Sequence, residues 1–258
     1  MMRALGTDRA VVAIETDMPE ARVAVHDALQ ATGDDRIGMA VVTAKYPAGG
    51  ERQLIELVTG EEVPSGALPR DIGYLCHNAG TAAAVAELFR SGRPLISRII
   101  TVTGSGVAQP GNFDARIGTP IRDLVALAGG YRNDPQRLLM GGPMMGFALP
   151  DDDLPVTKAT NCIVAALPGE FAPAKPEMPC IRCGDCIQVC PARLLPQELF
   201  TAARRGDTSR LDELGLLDCI ECGCCDYVCP SLITLTARFV AAKDAARERA
   251  RAGPEERP

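Results

Sequence analysis

Nine of the chain's 11 cysteines fall between residues 180 and 229, in two copies of one pattern. The first copy reads Cys180-Ile-Arg-Cys183-Gly-Asp-Cys186-Ile-Gln-Val-Cys190-Pro191. The second reads Cys219-Ile-Glu-Cys222-Gly-Cys-Cys225-Asp-Tyr-Val-Cys229-Pro230. Both follow C-x2-C-x2-C-x3-C-P. Three thiolates at i, i+3 and i+6 on a tightly turning loop can reach three iron corners of one [4Fe–4S] cube. The fourth lies on the helix-like turn that follows and faces away, toward a neighbour. Gly184 and Gly223 let the backbone approach sulfur and donate N–H groups to it. Ile181, Ile187, Val189, Ile220 and Val228 supply a dry shell, and Pro191 and Pro230 turn the chain after the last thiol.

This spacing is the cubane run of bacterial ferredoxins, in which the fourth cysteine ligates the other cluster of a pair. On that pattern one cluster takes Cys180, Cys183, Cys186 and Cys229, and the other takes Cys219, Cys222, Cys225 and Cys190. The alternatives are zinc, a redox disulfide or a structural role. Zinc sites pair two short Cys knuckles around one ion and have no use for duplicated four-Cys runs. Cys224 adjoins a ligand, but the repeat register favours Cys225. Cys76 and Cys162 lie in apolar, strand-like runs and read as buried bystanders. A cubane held by four cysteines has no open position for a substrate. The expected chemistry is therefore passage of single electrons.

Composition narrows the setting. The formal net charge of -6 and the absence of Trp, with only four Tyr and six Phe, argue against nucleic-acid binding. No apolar run approaches a membrane span, and Met1 to Asp8 has no apolar signal-peptide core. A reducing, cytosolic setting is expected, where clustered cysteines mean metal or redox chemistry.

The elements that must carry these motifs read as follows. Residues 1–94 alternate as strands and helices, which implies a parallel sheet covered by helices. Strands are expected near Val11 to Ile14, Ile37 to Thr43 and Ile72 to Cys76. Helices are expected from Asp17–Pro19 to Thr32, from Glu51 to Val58 and from Thr81 to Arg90, each stopped by a glycine. Residues 95–166 read as an α+β module. It has a strand at Leu95 to Val102, a turn at Gly104-Ser-Gly106, a strand at Phe113 to Ile117 and a helix at Ile121 to Leu127 behind Thr119-Pro120. A strand pair or edge is expected at 156–167. The prolines of 167–179 predict an extended linker. Residues 180–258 read as mainly helical around the cysteines, with helices at Pro196 to Arg205, Ser209 to Leu214 and Leu235 to Arg249. A frayed tail from Arg247 to Pro258 is expected.

Several further stretches carry a resemblance. They are Lys45-Tyr-Pro-Ala-Gly-Gly-Glu-Arg-Gln-Leu54, Glu62-Val-Pro-Ser-Gly66, Asn78-Ala-Gly-Thr-Ala-Ala-Ala84, Thr101-Val-Thr-Gly104, Pro110-Gly-Asn112, Arg116-Ile-Gly-Thr-Pro120, Met140-Gly-Gly-Pro-Met-Met-Gly146 and Pro155-Val-Thr-Lys158. With the two cysteine runs, in this order, they resemble the RnfC family. Its members are the peripheral RnfC subunits of Rnf ion-translocating ferredoxin:NAD oxidoreductases. The likeness runs over almost the whole chain. It implies a partial flavin-type α/β domain with a parallel sheet, then a β-grasp module of the SLBB type, then a two-cluster ferredoxin-type domain. It also implies similarity to the flavoprotein subunit of respiratory complex I, which binds FMN and accepts a hydride from NADH.

Carried over by position, Tyr46, Glu51, Asn78 and Thr81 fall where that pattern contacts flavin or nicotinamide. A strand end meeting a helix start suits a phosphate or a flavin edge; Asn78 and Thr81 equally suit a helix cap. Family members carry a longer N-terminus with a Gly-rich loop for the FMN phosphate. No such loop precedes Val11, and Gly104-Ser-Gly106 and Gly141-Gly142 read as tight turns. The chain is thus expected to be a fragment, to have a misassigned start, or to be half of a split protein. His26, His77 and Met144-Met145 carry no paired acid or metal spacing, and the methionines read as core or contact surface.

The resemblance implies a peripheral protein on the cytoplasmic face of the inner membrane, held there by the other subunits of an electron transport complex. Two other readings stay open. One is a soluble flavoprotein of the same superfamily, similar to the cobalamin reductase of bacterial microcompartments. The other is a non-catalytic iron–sulfur relay or docking module.

Overall fold

The computed structural model describes residues 1–133, 135, 137–170 and 175–252. The chain gathers into two compact units. The first holds 1–86, 187–220 and the chain from Ala241 onward; the second holds 87–186 and 221–240. The expected linker lies partly outside the described residues, at 171–174, as does the tail from 253.

In the first unit, a short helix α1 (Met2–Leu5) precedes β1 (Ala10–Glu15), α2 (Pro19–Thr32) and β2 (Ile37–Val42). β1 and β2 pair in parallel from Ala10↔Ile37 to Glu15↔Val42, with α2 as the crossover. Pro19 sits in the first turn of α2, where a missing N–H costs nothing. Asp17 does not cap this helix; the cap position is Met18, without a side-chain bond. Gly33 ends the helix in the left-handed region, its N–H bonded to the Leu29 carbonyl. Next come α3 (Glu51–Thr59) and α4 (Ala79–Ser91), which begins in this unit.

The third strand expected at Ile72 to Cys76 is absent. Pro69–Ile72 instead form a 3-10 turn closed by Gly73 at φ 85. Asp71 Oδ2 accepts the Leu68 N–H at 2.8 Å, so the segment satisfies its backbone locally rather than in a ladder. The later part of the unit is helical. α7 (Pro196–Arg205) and α8 (Thr208–Glu213) pack together and bury Leu199, Phe200, Ala202 and Leu211. Asp207 caps α8 by accepting the Arg210 N–H at 3.0 Å.

The second unit contains a five-stranded mixed sheet. Its strands are β3 (Ser97–Thr103), β4 (Gly111–Arg116), β5 (Arg137–Met140), β6 (Phe147–Leu149) and β7 (Cys162–Ala166), in the order β4-β3-β7-β5-β6. β7 runs parallel to β3 and antiparallel to β5. The strand expected as an edge near 156–167 is therefore the central one. Its Ile163 and Ala165 are fully buried, as a continuous apolar run on a covered strand demands. α5 (Ile121–Leu127) lays Ile121, Leu124 and Val125 on this core against Ile100, Val102 and Val107. β5 and β6 had no sequence signal; they are short and separated by Gly141-Gly142.

The Gly104-Ser-Gly106 turn has a packing reason. Gly104 has φ +103, and a Cβ there would sit 2.1 Å from the Ala165 carbonyl oxygen of the central strand. Gly118 has φ +96, but open space beside it. Both alanine variants carry the backbone penalty of a positive φ, more than about 1 kcal/mol. Only Gly104→Ala adds a backbone clash. Urea unfolding should therefore rank the variants wild type, Gly118→Ala, Gly104→Ala in falling stability; equal midpoints for the two variants would contradict the close approach.

Candidate metal centre

Each cysteine run folds as the same local device. The first two thiols lie on a loop, and the third lies in the four-residue helix that the loop leads into, Cys186 in α6 (Asp185–Gln188) and Cys225 in α9 (Cys224–Tyr227). Among the described residues, the non-glycine positions with positive φ are Arg182, Arg193, Glu221 and Leu232. Arg182 and Glu221 hold the same place in the two copies, and so do Arg193 and Leu232. Gly184 and Gly223 are left-handed as well. After the fourth cysteine the turn repeats too. Arg193 N–H bonds the Cys190 carbonyl at 3.1 Å, and Leu232 N–H bonds the Cys229 carbonyl at 3.0 Å. A helix then starts at Pro196 in one copy and at Leu235 in the other (α10, Leu235–Ala252). Left-handed non-glycine backbone costs roughly 1–2 kcal/mol per residue. Four such residues at matched places mark a loop shaped for its contents.

Cys180, Cys183, Cys186 and Cys229 all belong to the second unit. Burial raises the Cys186 thiol pKa most, and the charges of Cys183, Cys180 and Cys229 raise it further. Four thiols within electrostatic reach of one another are the donor set a cubane requires. The segment before Cys180 is strapped to the segment after Cys229. Met178 N–H bonds the Ser231 carbonyl at 2.9 Å, and Ser231 Oγ donates to the Pro179 carbonyl at 2.9 Å. Glu177 accepts from Thr234 N–H at 2.9 Å and Thr234 Oγ1 at 2.6 Å, and pairs with Arg238 at 2.7 Å. These bonds, led by the Thr234 hydroxyl and amide, hold the Glu177 carboxyl down at about 2.

Of the other set, Cys222 and Cys225 lie in the second unit and are buried, while Cys190 and Cys219 lie in the first. Cys190 Sγ accepts the Leu194 N–H at 3.4 Å, the kind of amide-to-sulfur bond that tunes a cluster. Within the first unit, Asp218, just before Cys219, pairs with Arg52 at 3.2 Å and accepts from Ser65. Arg193 pairs with Glu56 and with Glu62. Cys224 opens α9 beside Cys225 and is half-buried. Among the described residues no three His, Cys, Asp or Glu side chains converge on one point as a single ion demands. A cubane spreads its thiolates around a cage, so its donors stand farther apart than those of one tetrahedral ion.

Tyr46, Glu51, Asn78 and Thr81 all stand near helix starts in the first unit. Tyr46 lies in the turn before α3 and is 47% exposed. Glu51 opens α3 behind Gly50. Asn78 precedes α4; its Oδ1 accepts the Gly80 N–H at 2.8 Å and its carbonyl accepts the Thr81 N–H at 2.9 Å. Asn78 therefore caps the helix. Cys76 is half-buried outside any strand. Burial raises its thiol pKa, and the Glu51 charge adds to this. Cys162 lies half-buried on β7, its thiol also raised by burial. Met144 is a contact residue. Its carbonyl oxygen lies 3.2 Å from where a Cβ on Gly223 would stand.

Sequence reasoning missed the straps. Glu177, Ser231 and Thr234 carry no spacing signal, and neither do Arg52 and Asp218. Two outcomes test them. Gly223→Ala adds the Met144 contact to its positive φ, whereas Gly184 faces open space. Gly223→Ala should therefore lose more iron per chain than Gly184→Ala, and the reverse ranking would contradict the packing. For Glu177, the folded carboxyl is depressed to about 2 from 4.5. Its stabilisation is full above about pH 4.5 and drains as pH falls toward about 2. The urea-midpoint gap between wild type and Glu177→Gln should follow that course; a gap that does not change with pH would refute it.

The comparisons with known proteins agree with this geometry. Residues 1–87 match the Nuo51 FMN-binding domain, residues 99–148 the SLBB domain, and residues 179–233 the 4Fe-4S dicluster domain. The C subunit of the ion-translocating oxidoreductase complex of Pseudomonas aeruginosa is 49% identical over 96% of this chain and 32% of its own length. The corresponding protein of Yersinia pestis bv. Antiqua is 44% identical over 83% of this chain and 34% of its own. That of Erwinia tasmaniensis is 46% identical over 79% of this chain and 25% of its own. The chain thus spans about a third or less of the curated relatives it matches. Over that shared stretch, with FMN-type, SLBB and dicluster regions in the same order, the chain is similar to the C subunits of ion-translocating oxidoreductase complexes.

Proposed function

We propose that the chain is the electron-transfer part of a membrane-bound, ion-translocating ferredoxin:NAD oxidoreductase, carrying single electrons through two [4Fe–4S] clusters. The observation that carries this reading is the strap from Glu177, Met178 and Pro179 to Ser231, Thr234 and Arg238. It draws the start of the first cysteine run to the end of the second, as crosswise ligation requires. Cys180, Cys183, Cys186 and Cys229 hold one cluster, and Cys219, Cys222, Cys225 and Cys190 hold the other. When bound, each cluster supplies reversible one-electron storage. The protein orients the thiolates, donates the Leu194 amide to Cys190 Sγ, and buries Cys222 and Cys225 from water.

The proposed organisation is a partial flavin-type domain at 1–94, an SLBB-like module at 95–166, a linker at 167–179 and the two-cluster domain from 180. Tyr46, Glu51 and Thr81 face FMN or NADH in this reading. Asn78 contributes through the helix start that it caps. No helix among the described residues is long and apolar enough to cross a membrane. Attachment runs through partner subunits, on the cytoplasmic face of the inner membrane. The capping bond of Asn78 favours a second reading, a relay module without flavin.

Anaerobic purification with iron, sulfide and flavin analysis tests both. About eight irons per chain are expected, four for each cubane. Cys180→Ser and Cys219→Ser should each remove about four of them, and Cys224→Ser none. Stoichiometric flavin supports the oxidoreductase reading, and its absence supports the relay. Stoichiometric zinc with little iron would overturn both.

A further inference from the structure

Lys243 on α10 is only 5% exposed, and its Nζ donates to the backbone carbonyl of Cys219 at 2.6 Å. Both residues belong to the first unit. Lysine is almost never buried to this degree without a specific partner. Here one partner is the main chain of a cysteine assigned as a cluster ligand. We infer that Lys243 is a positioning residue whose charge raises the midpoint potential of the cluster held by Cys219. This rests on the two-cluster reading above.

A cation one hydrogen bond from a ligand's own backbone lies within the field of the thiolate-bound cluster. Burial keeps water and salt from screening it. Each cluster gains one electron on reduction and becomes more negative, so the cation favours the reduced state and the midpoint rises; charge and hydrogen bonding are the levers that set such potentials.

The repeat supplies the contrast. The residue of the first copy that matches Lys243 is Arg204 on α7. Arg204 is exposed, with its guanidinium 5.6 Å over the Phe200 ring. The two copies share backbone geometry but not this buried charge. Around the Cys219 loop, Asp218 is paired with Arg52 at 3.2 Å, and Glu221 stands between Cys219 and Cys222 where the first copy has Arg182, so the Lys243 cation acts in a loop that carries a carboxylate of its own.

The test is an anaerobic titration of the full chain with dithionite, followed by EPR. Wild type should show two one-electron waves. Lys243→Gln keeps a donor for the Cys219 carbonyl but removes the charge. It should move one wave to lower potential and leave the other in place. The wave that moves should be the one abolished by Cys219→Ser, and Lys243→Arg should restore it. Unchanged waves in Lys243→Gln, or equal shifts of both, would overturn the inference. So would loss of the cluster in both the Gln and the Arg variants, which marks a purely structural lysine. A wild-type chain without any cubane signal instead refutes the two-cluster reading itself.

Discussion

Cys180 and Cys229 stand at opposite ends of the cysteine block, yet their thiols lie in one electrostatic neighbourhood with Cys183 and Cys186. Bringing them there closes a long loop, whose entropy cost grows only slowly with length. What must be supplied is precision of register at the closing point. Glu177, Met178 and Pro179 supply it through consecutive bonds to Ser231, Thr234 and Arg238. Some of these donors and acceptors are backbone groups, which cannot swing away as long side chains do. The left-handed residues at Arg182 and Leu232 then shape the loop on each side of the closure.

The dicluster region was legible in the sequence because spacing is a one-dimensional signal. A thiol every third residue, with glycine after the second and proline after the fourth, states its geometry without the rest of the fold. The helices stopped by Gly33 and Gly60 were legible for the same reason, since a left-handed position is met locally by glycine. The failures share a cause as well. Ile72 to Cys76 looks like a strand by composition, but the Asp71 side chain and Gly73 close a turn first. The run at 162–166 was readable as a strand, yet its central position depends on β5, which composition does not announce. The straps were invisible because single polar residues at irregular places acquire meaning only from what the fold sets opposite them.

The two cysteine copies show how far a shared motif determines a site. Backbone geometry repeats down to the positive φ residues and the hydrogen bond after the fourth cysteine. Surroundings do not. Cys180 and Cys183 are exposed, while Cys222 and Cys225 are buried at 7% and 9% exposure. Gly184 faces open space and Gly223 faces Met144. Solvent exposure and hydrogen bonding to sulfur both move cluster potentials. Two copies of one motif in unequal surroundings therefore offer two different settings for a cluster.

The same distinction governs the ion pairs around Cys190 and Cys219. Arg193 is 67% exposed, so its pairing with Glu56 contributes little to stability once solvent screening is counted. Its value lies in position. Glu56 is on α3, the helix that Glu51 opens, and Arg52 of the same helix reaches Asp218 beside Cys219. One helix of the region that matches a flavin-binding domain thus holds both flanking residues, Arg193 after Cys190 and Asp218 before Cys219. Electron transfer depends far more steeply on distance than folding stability does on any one surface pair. A bond of negligible energy can therefore matter for function when it fixes where a proposed cluster ligand stands relative to that helix.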